Sequence, residues 1–203
     1  LFRIALKSDD GILPGNSWGQ GATTSYVGNY SVSCGLRELY TTTDCRNSVI
    51  KMVTSESGDC NMVWKWANGG ASAGLVDIPL IRTAEMTRAE ANYNLKQYTP
   101  ALADLNIVRS KRYSDYEAGN ESGESLEKAI QLQRRLELAF EGHRFFDLKR
   151  RHEDLERDGL GFLADGTGAP AGAQEVSADS PYYLLPIPQS EIDANENMIQ
   201  NKY

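Results

Sequence analysis

Two glutamates near the middle of the chain are the residues that most suggest acid–base chemistry. Glu137 and Glu141 are four residues apart, so on a helix their carboxyl groups lie one turn apart on one face. Such a pair can supply the general acid and the second carboxylate that cleave a glycosidic bond. The surrounding sequence adds no substrate-positioning loop and places Arg134 and Arg144 three residues from a carboxylate. We therefore expect ion pairs that hold helices together, and a protein that is not an enzyme.

Other catalytic and metal chemistry has little support in the sequence. The only histidines are His143 and His152, and no Ser or Cys stands in a nucleophile motif such as G-x-S-x-G. The cysteines Cys34, Cys45 and Cys60 show no C-x-x-C spacing, which leaves small core residues or one disulfide as the alternatives. We expect no metal site and no cofactor.

Aromatic side chains in polar loops are the candidates for ligand binding. Trp18, Tyr26 and Tyr30 stand among Gly, Ser, Thr and Asn residues, where the backbone can present rings to solvent. Exposed rings of this kind stack on the faces of sugars, and neighbouring amides and hydroxyls complete the contacts. The alternative is that each ring folds inward and anchors its loop. Trp64 and Trp66 alternate on an extended run, which favours the core.

Length and charge restrict the partners. The 203 residues carry a formal net charge of −7, which argues against nucleic acid or an anionic membrane surface as the main partner. No apolar run approaches the roughly 18 residues of a membrane-spanning helix.

The composition changes near residue 77 and divides the chain into two predicted regions. Residues 1–76 are rich in loops and include two extended runs, Ser48–Val53 and Met62–Trp66, that could form a strand pair. Residues 77–203 are helical, and we expect both regions to form one structural unit. The chain opens in mid-strand at Leu1, without an initiator Met, so we expect it to be a piece of a longer protein.

Apolar residues recur at helical spacing in the second region. The predicted face of the first helix consists of Ile81, Ala84, Arg88, Ala91 and Leu95. That of the second helix is Ala101, Leu105 and Val108, and that of the third is Ala129, Leu132, Leu136 and Ala139. The small–large spacing of Ala89, Tyr98, Ala101 and Leu105 fits a tetratricopeptide repeat. These patterns predict a mainly α fold, with a tetratricopeptide-like helical layer, long irregular loops and a small strand pair.

Several segments together resemble the RagB/SusD family of outer-membrane nutrient-binding lipoproteins. Residues 138–150, LAFEGHRFFDLKR, resemble the family signature E-L-x-x-E-G-x-R-x-x-D-L-x-R. Residues 81–95 and Leu105–Arg109 resemble its R-x-A-E-x-x-x-x-A-E-A and L-N-x-V-R elements, and Leu185–Asn201 resembles its closing motif. Gln133 departs from the family pattern, which has Glu at that position, and Glu196 replaces a Pro.

The resemblance covers the C-terminal portion of a family member. It implies that an N-terminal helical half, a signal peptide and a lipidated cysteine lie upstream, and that the full-length protein is anchored at the cell surface of the outer membrane. Its motif residues are expected to hold structure: Arg82, Glu85, Glu137, Glu141, Arg144 and Asp147.

The resemblance also implies a function. It predicts non-enzymatic capture of a nutrient, with an oligosaccharide as the expected ligand, and delivery to a TonB-dependent transporter of the SusC type. Residues 1–76 would then supply part of the ligand platform, through Trp18, Tyr26 and Tyr30. A helical-repeat scaffold that binds protein or peptide is the alternative, and a glycoside hydrolase is less favoured. Neither the glycan nor the oligomeric state follows from the sequence.

Overall fold

Helices make up most of the regular structure in the part of the chain that the structure describes. The computed structural model describes residues 3–4, 31–55, 58–65, 78–79, 84–170, 172 and 174–202. The α-helices in these ranges are α1 (Cys34–Glu38), α2 (Ala84–Asn94), α3 (Tyr98–Arg112), α4 (Gly123–Glu137), α5 (His143–Arg151) and α6 (Gln189–Ala194). Short 3₁₀ helices span Cys45–Val49 and Pro181–Tyr183. The predicted mainly α fold is confirmed.

The described strands form antiparallel pairs. These are β1 (Arg3–Ile4) with β4 (Ile78–Pro79), β2 (Ile50–Ser55) with β3 (Gly58–Val63), and β5 (Leu155–Glu156) with β6 (Glu175–Val176). The predicted strand pair is β2–β3, although its bounds differ from the expected ones. The Asp44 carboxylate accepts the backbone N–H of Arg46 and caps the 3₁₀ helix Cys45–Val49, which delays the first strand to Ile50.

The main core lies where α2, α3 and α4 meet. Its buried members are Met86, Ala89, Ala101, Leu105, Val108, Leu126, Ala129 and Ile130. Ala89 and Ala101 are 0% exposed, so small side chains let α2 and α3 approach closely, as in a tetratricopeptide-like helix pair. Across the same pair, the Arg88 guanidinium donates to both Asp104 carboxylate oxygens at 2.8 and 2.6 Å.

The buried faces predicted for α3, α2 and α4 agree with the structure to different extents. All three expected residues of α3 are buried. The face predicted for α2 is wrong, because Ala84, Ala91 and Leu95 are exposed while Met86 and Ala89 are buried. A shift of two residues is a rotation of about 200° about the helix axis, so the helix turns nearly its opposite side to the core. In α4, Ala129 and Leu136 are buried as expected, but Leu132 is 37% exposed.

A second core joins the β2–β3 hairpin and α1 to the end of α4. Its buried members are Val32, Tyr40, Ile50, Val63 and Leu136. The Tyr40 hydroxyl donates to the Leu136 carbonyl oxygen at 3.0 Å, and burial raises the pKa of this phenol to about 12. The residues on both sides of the predicted division at 76/77 therefore share a core. The division itself falls in residues 66–77, which lie outside the described residues.

Across the described ranges, no helix combines the length and the apolar character needed to cross a membrane.

Candidate functional site

A buried ion-pair cluster holds the 3₁₀ helix, α3 and α4 together. Arg46 is 7% exposed, and its guanidinium donates to both Asp44 carboxylate oxygens at 2.7–3.1 Å and to Glu137 Oε2 at 3.3 Å. Arg112 approaches the same glutamate with two contacts, at 2.9 Å to Oε2 and 2.6 Å to Oε1. Glu137 is therefore shared by arginines from two elements that are far apart in sequence.

Two neutral side chains complete this cluster. Gln133, 2% exposed, accepts from Arg46 Nη2 at 2.8 Å and donates from Nε2 to the Tyr113 hydroxyl at 2.9 Å. The same hydroxyl accepts from Arg46 Nη2 at 3.1 Å. For Arg46, burial opposes the charge, but the contact with Asp44 outweighs it and raises the pKa.

Glu141 belongs to a neighbouring contact at the end of α4. Lys65 Nζ lies 2.6 Å from Glu141 Oε1 and donates to the backbone carbonyl oxygens of Glu137 and Ala139, each at 2.9 Å. The cation thus binds the last carbonyl of α4, which lacks a partner within the helix, and a carbonyl of the turn that follows. Both glutamates that could have acted as an acid–base pair are engaged by fixed cations, and the Glu137 side chain is only 3% exposed.

Asp147 is the centre of a third contact, between α2, α4 and α5. Its carboxylate accepts from Arg134 Nε at 3.0 Å and from Arg150 Nε at 2.9 Å, and Arg150 also donates to both Glu90 oxygens at 2.7 and 2.8 Å. Burial acts to raise the pKa of Asp147, but the hydrogen bonds from the two arginines outweigh it and lower the pKa.

The remaining motif residues form no comparable cluster in the described part of the chain. Glu85 is half-buried in the first turn of α2, and its expected partner Arg82 lies outside the described residues. Arg144 is exposed on α5 and makes no hydrogen bond or ion pair with any side chain that the structure describes. It lines a surface groove instead.

An open groove lies between α1, the end of α4 and residues 155–170 and 174. This groove has a volume of about 570 Å³, within the usual range of ligand pockets. Its walls bring together arginines, two phenylalanine rings, serine hydroxyls and an amide: Arg135, Arg144, Arg157, Phe140, Phe162, Ser31, Ser33 and Gln174. Groups of these types can stack on a sugar face and hydrogen-bond its hydroxyls.

The arginines of this groove are electrostatically unusual. Burial lowers the pKa of Arg135. Arg144 is exposed as a whole residue, but partial desolvation of its guanidinium lowers its pKa, and the positive charges of Arg135 and Arg151 lower it further. The groove therefore holds guanidinium groups that repel one another, in a chain whose formal net charge is −7.

An aromatic surface adjoins the groove on the far side of Arg144. The Phe145 ring stacks on Tyr183 with centroids 5.4 Å apart and meets Phe146 edge-on at 5.5 Å. Phe146 is 64% exposed and Tyr182 73% exposed. A smaller hollow of about 280 Å³ between Arg144, Phe145 and Tyr183 continues this surface.

The predicted ligand residues Trp18, Tyr26 and Tyr30 lie outside the described residues, as does Trp66. Trp64 is half-buried rather than fully in the core, with the Lys51 ammonium 4.4 Å from its ring centroid. The groove residues Arg135, Phe140, Arg144, Arg157 and Phe162 were not predicted from the sequence to line one site. No local spacing could have found them, because three separate segments meet there only after folding.

Cys34, Cys45 and Cys60 form no disulfide, so the disulfide alternative does not hold. Cys34 and Cys60 are buried and Cys45 is exposed. Within the described residues, no group of His, Cys, Asp and Glu side chains is placed to hold a metal ion.

Comparisons with known proteins point to one family. The model of the SusD family matches residues 51–203. The starch-binding protein SusD of Bacteroides thetaiotaomicron is 35% identical over 133 residues, which are 62% of this chain and 21% of that protein. This chain thus spans about a fifth of that relative's length.

Solved structures agree with this match. A SusD superfamily protein of Bacteroides vulgatus has a TM-score of 0.74 at 24% identity. The match covers 98% of this chain and 45% of the Bacteroides vulgatus chain. A second SusD superfamily protein, from Bacteroides thetaiotaomicron, has a TM-score of 0.66 at 26% identity. That match covers 83% of this chain and 39% of the Bacteroides thetaiotaomicron chain.

Proposed function

The chain belongs to the SusD family, and from this premise we propose that the protein binds a carbohydrate nutrient without chemically changing it. The curated relative is named for binding starch. The groove beside α1 is the observation that carries the proposal for this chain. It combines the Phe140 and Phe162 rings with guanidinium, hydroxyl and amide groups, which is the set of contacts that a sugar ring uses.

The predicted ligand residues are close to the groove along the chain. The groove wall includes Ser31, which directly follows Tyr30 in the chain. We propose that Trp18, Tyr26 and Tyr30 supply stacking surfaces for the same ligand. Because the chain spans less than half of its solved relatives, the rest of the binding surface belongs to other parts of the full-length protein.

The partner and the location are part of the same proposal. The protein is lipid-anchored through its N-terminal part at the cell surface of the outer membrane, and it delivers its ligand to a SusC-type TonB-dependent transporter. Family membership supports both statements. The gene that adjoins this one should encode such a transporter, and the tagged full-length protein should co-purify with it from outer membranes. Purification of the protein free of any transporter would contradict the delivery step.

Hydrolysis of a glycan is the weaker alternative. A glycosidase carboxyl pair must reach both faces of a scissile bond, whereas Glu137 is 3% exposed and contacts Arg46 and Arg112. A peptide-binding scaffold is the other alternative, and its binding would not depend on Trp18.

Calorimetry on the full-length protein separates these functions. We expect heat of binding with maltooligosaccharides or another glycan of a panel, no reducing sugar released over time, and weaker binding after Trp18→Ala. Trp64→Ala is the matched control, because it also removes an indole but lies outside the groove lining. Binding of peptides alone would refute the carbohydrate proposal. If Trp18→Ala bound the glycan with the affinity of the parent, Trp18 would not be part of the binding site.

A further inference from the structure

The arginines whose side chains the structure describes fall into two groups, those with a partner and those without one. Most arginines whose side chains the structure describes are paired with a carboxylate: Arg46, Arg88, Arg109, Arg112, Arg134, Arg150 and Arg151. Arg37 donates to the backbone carbonyl oxygen of Tyr40. The guanidinium groups of the others, Arg135, Arg144 and Arg157, make no ion pair or hydrogen bond within the described residues, and all of them line the groove.

This distribution has an energetic consequence. For the arginines that pair with a carboxylate, the carboxylate offsets the cost of removing the guanidinium from water. Arg135 is half-buried without such a partner, and the positive charge of Arg144 acts on the same region. An anionic group in the groove would remove this repulsion and accept forked, charge-assisted hydrogen bonds.

Two carboxylates also line the groove, Glu156 and Asp158. Asp158 is committed to backbone amides, because Oδ2 accepts from Gly35 N–H at 2.9 Å and Oδ1 from Leu160 N–H at 3.1 Å. Glu156 is exposed in the short strand β5. Neither carboxylate lies within ion-pair distance of a groove arginine in the described part of the chain, so the guanidinium groups stay available to a ligand.

We propose that the groove binds an acidic saccharide, whose carboxylate or sulfate group contacts the guanidinium groups of Arg135 and Arg144. The rings of Phe140 and Phe162 then contact the apolar C–H faces of the sugar, and the Gln174 amide lies within the same wall. This inference rests on the proposed carbohydrate-binding function and specifies the charge of the substrate.

The test is calorimetry on the full-length protein with trigalacturonate, a sulfated oligosaccharide and neutral maltotriose. We expect at least one anionic probe to bind more tightly than maltotriose and to lose affinity as NaCl rises. Arg144→Gln should weaken that binding by about tenfold or more, since it removes a charge-assisted contact. Lys149→Gln is the matched control, because it removes one positive charge from the exposed side of the same helix, outside the groove.

Folding should not obscure the result. Arg144 holds no partner within the described residues, so Arg144→Gln should keep the parent's melting temperature. Arg144→Lys keeps the positive charge but loses the forked guanidinium donors, so its affinity for the anionic probe should lie between those of the parent and of Arg144→Gln. Equal affinity of Arg144→Gln and the parent for the anionic probes overturns the proposal. Binding of maltotriose with no binding of either anionic probe also overturns it, while leaving the carbohydrate function intact.

Discussion

Replacing Glu137 by glutamine tests whether the buried ion-pair cluster stabilises the fold or serves chemistry. Glu137→Gln keeps the volume of the side chain and one acceptor oxygen. It removes the negative charge shared by Arg46 and Arg112, and it turns an amide N–H₂ toward their N–H groups. A donor then faces donors in a place from which water is largely excluded.

The structure sets the size of the effect. Removing one partner of a buried ion pair costs about 3–5 kcal/mol. Two features reduce the cost here, because Arg46 keeps its contacts with Asp44 at 2.7–3.1 Å and the Arg112 side chain is 31% exposed and can be hydrated. We therefore expect the free energy of unfolding to fall by about 2–3 kcal/mol. The melting temperature should fall by about 4–12 °C for a chain of this length.

Urea denaturation followed by circular dichroism measures this difference. Glu124→Gln on the same helix is the matched control, since its ion pair with Lys128 joins side chains that are 76% and 73% exposed. The control should unfold with the midpoint of the parent. If Glu137→Gln also kept the parent's midpoint and slope, the cluster would contribute nothing to stability and the reasoning would fail. Ligand binding by the folded variant should be unchanged.

Three further predictions concern the core, the acid limit of stability and the thiols. Ala101→Leu, at a fully buried position between α2 and α3, should lower the free energy of unfolding by about 1–3 kcal/mol through overpacking. Ala103→Leu, at an exposed position of the same helix, should leave it unchanged. Equal urea midpoints for the two variants would contradict this prediction. The lowered pKa of Asp147 means that its contribution to stability is present above the ordinary Asp pKa of about 4 and is lost as the pH falls through the lower folded-state value. The stability gap between parent and Asp147→Asn should therefore be full at neutral pH and shrink below about pH 4, and a gap that is constant with pH would refute the assignment. A thiol reagent should modify Cys45 promptly and the two buried cysteines only after unfolding, whereas equal rates for all three would be inconsistent with the structure.

The helices show what sequence periodicity can and cannot predict. In α3, Leu105 and Val108 are strongly apolar and sit at helical spacing, so the buried face was predictable. In α2 most of the apolar residues are alanines, namely Ala84, Ala89 and Ala91, and alanines occur on both buried and exposed faces and carry little hydrophobic signal. Met86, the one large apolar residue buried in that helix, sets its orientation.

The clusters and the groove depended on contacts that no local pattern contains. The motif around Glu137 and Glu141 indicated the family and the structural role expected of its carboxylates. Their partners Arg46 and Lys65 are 91 and 76 residues away in the chain, and only the folded arrangement brings them together. The groove was harder still to predict, since its unpaired arginines are visible only when the partners of the other described arginines are known.

The end of α4 takes its hydrogen-bond donors from the distant first region. The Tyr40 hydroxyl binds the Leu136 carbonyl oxygen, and Lys65 binds those of Glu137 and Ala139. Tyr40 precedes the β2–β3 hairpin and Lys65 follows it closely. Local unfolding of the segment that carries Tyr40, the hairpin and Lys65 would leave these carbonyls without donors, so this segment and the last turn of α4 form one cooperative unit. Amide protons in both should then exchange with solvent at a common free energy of opening.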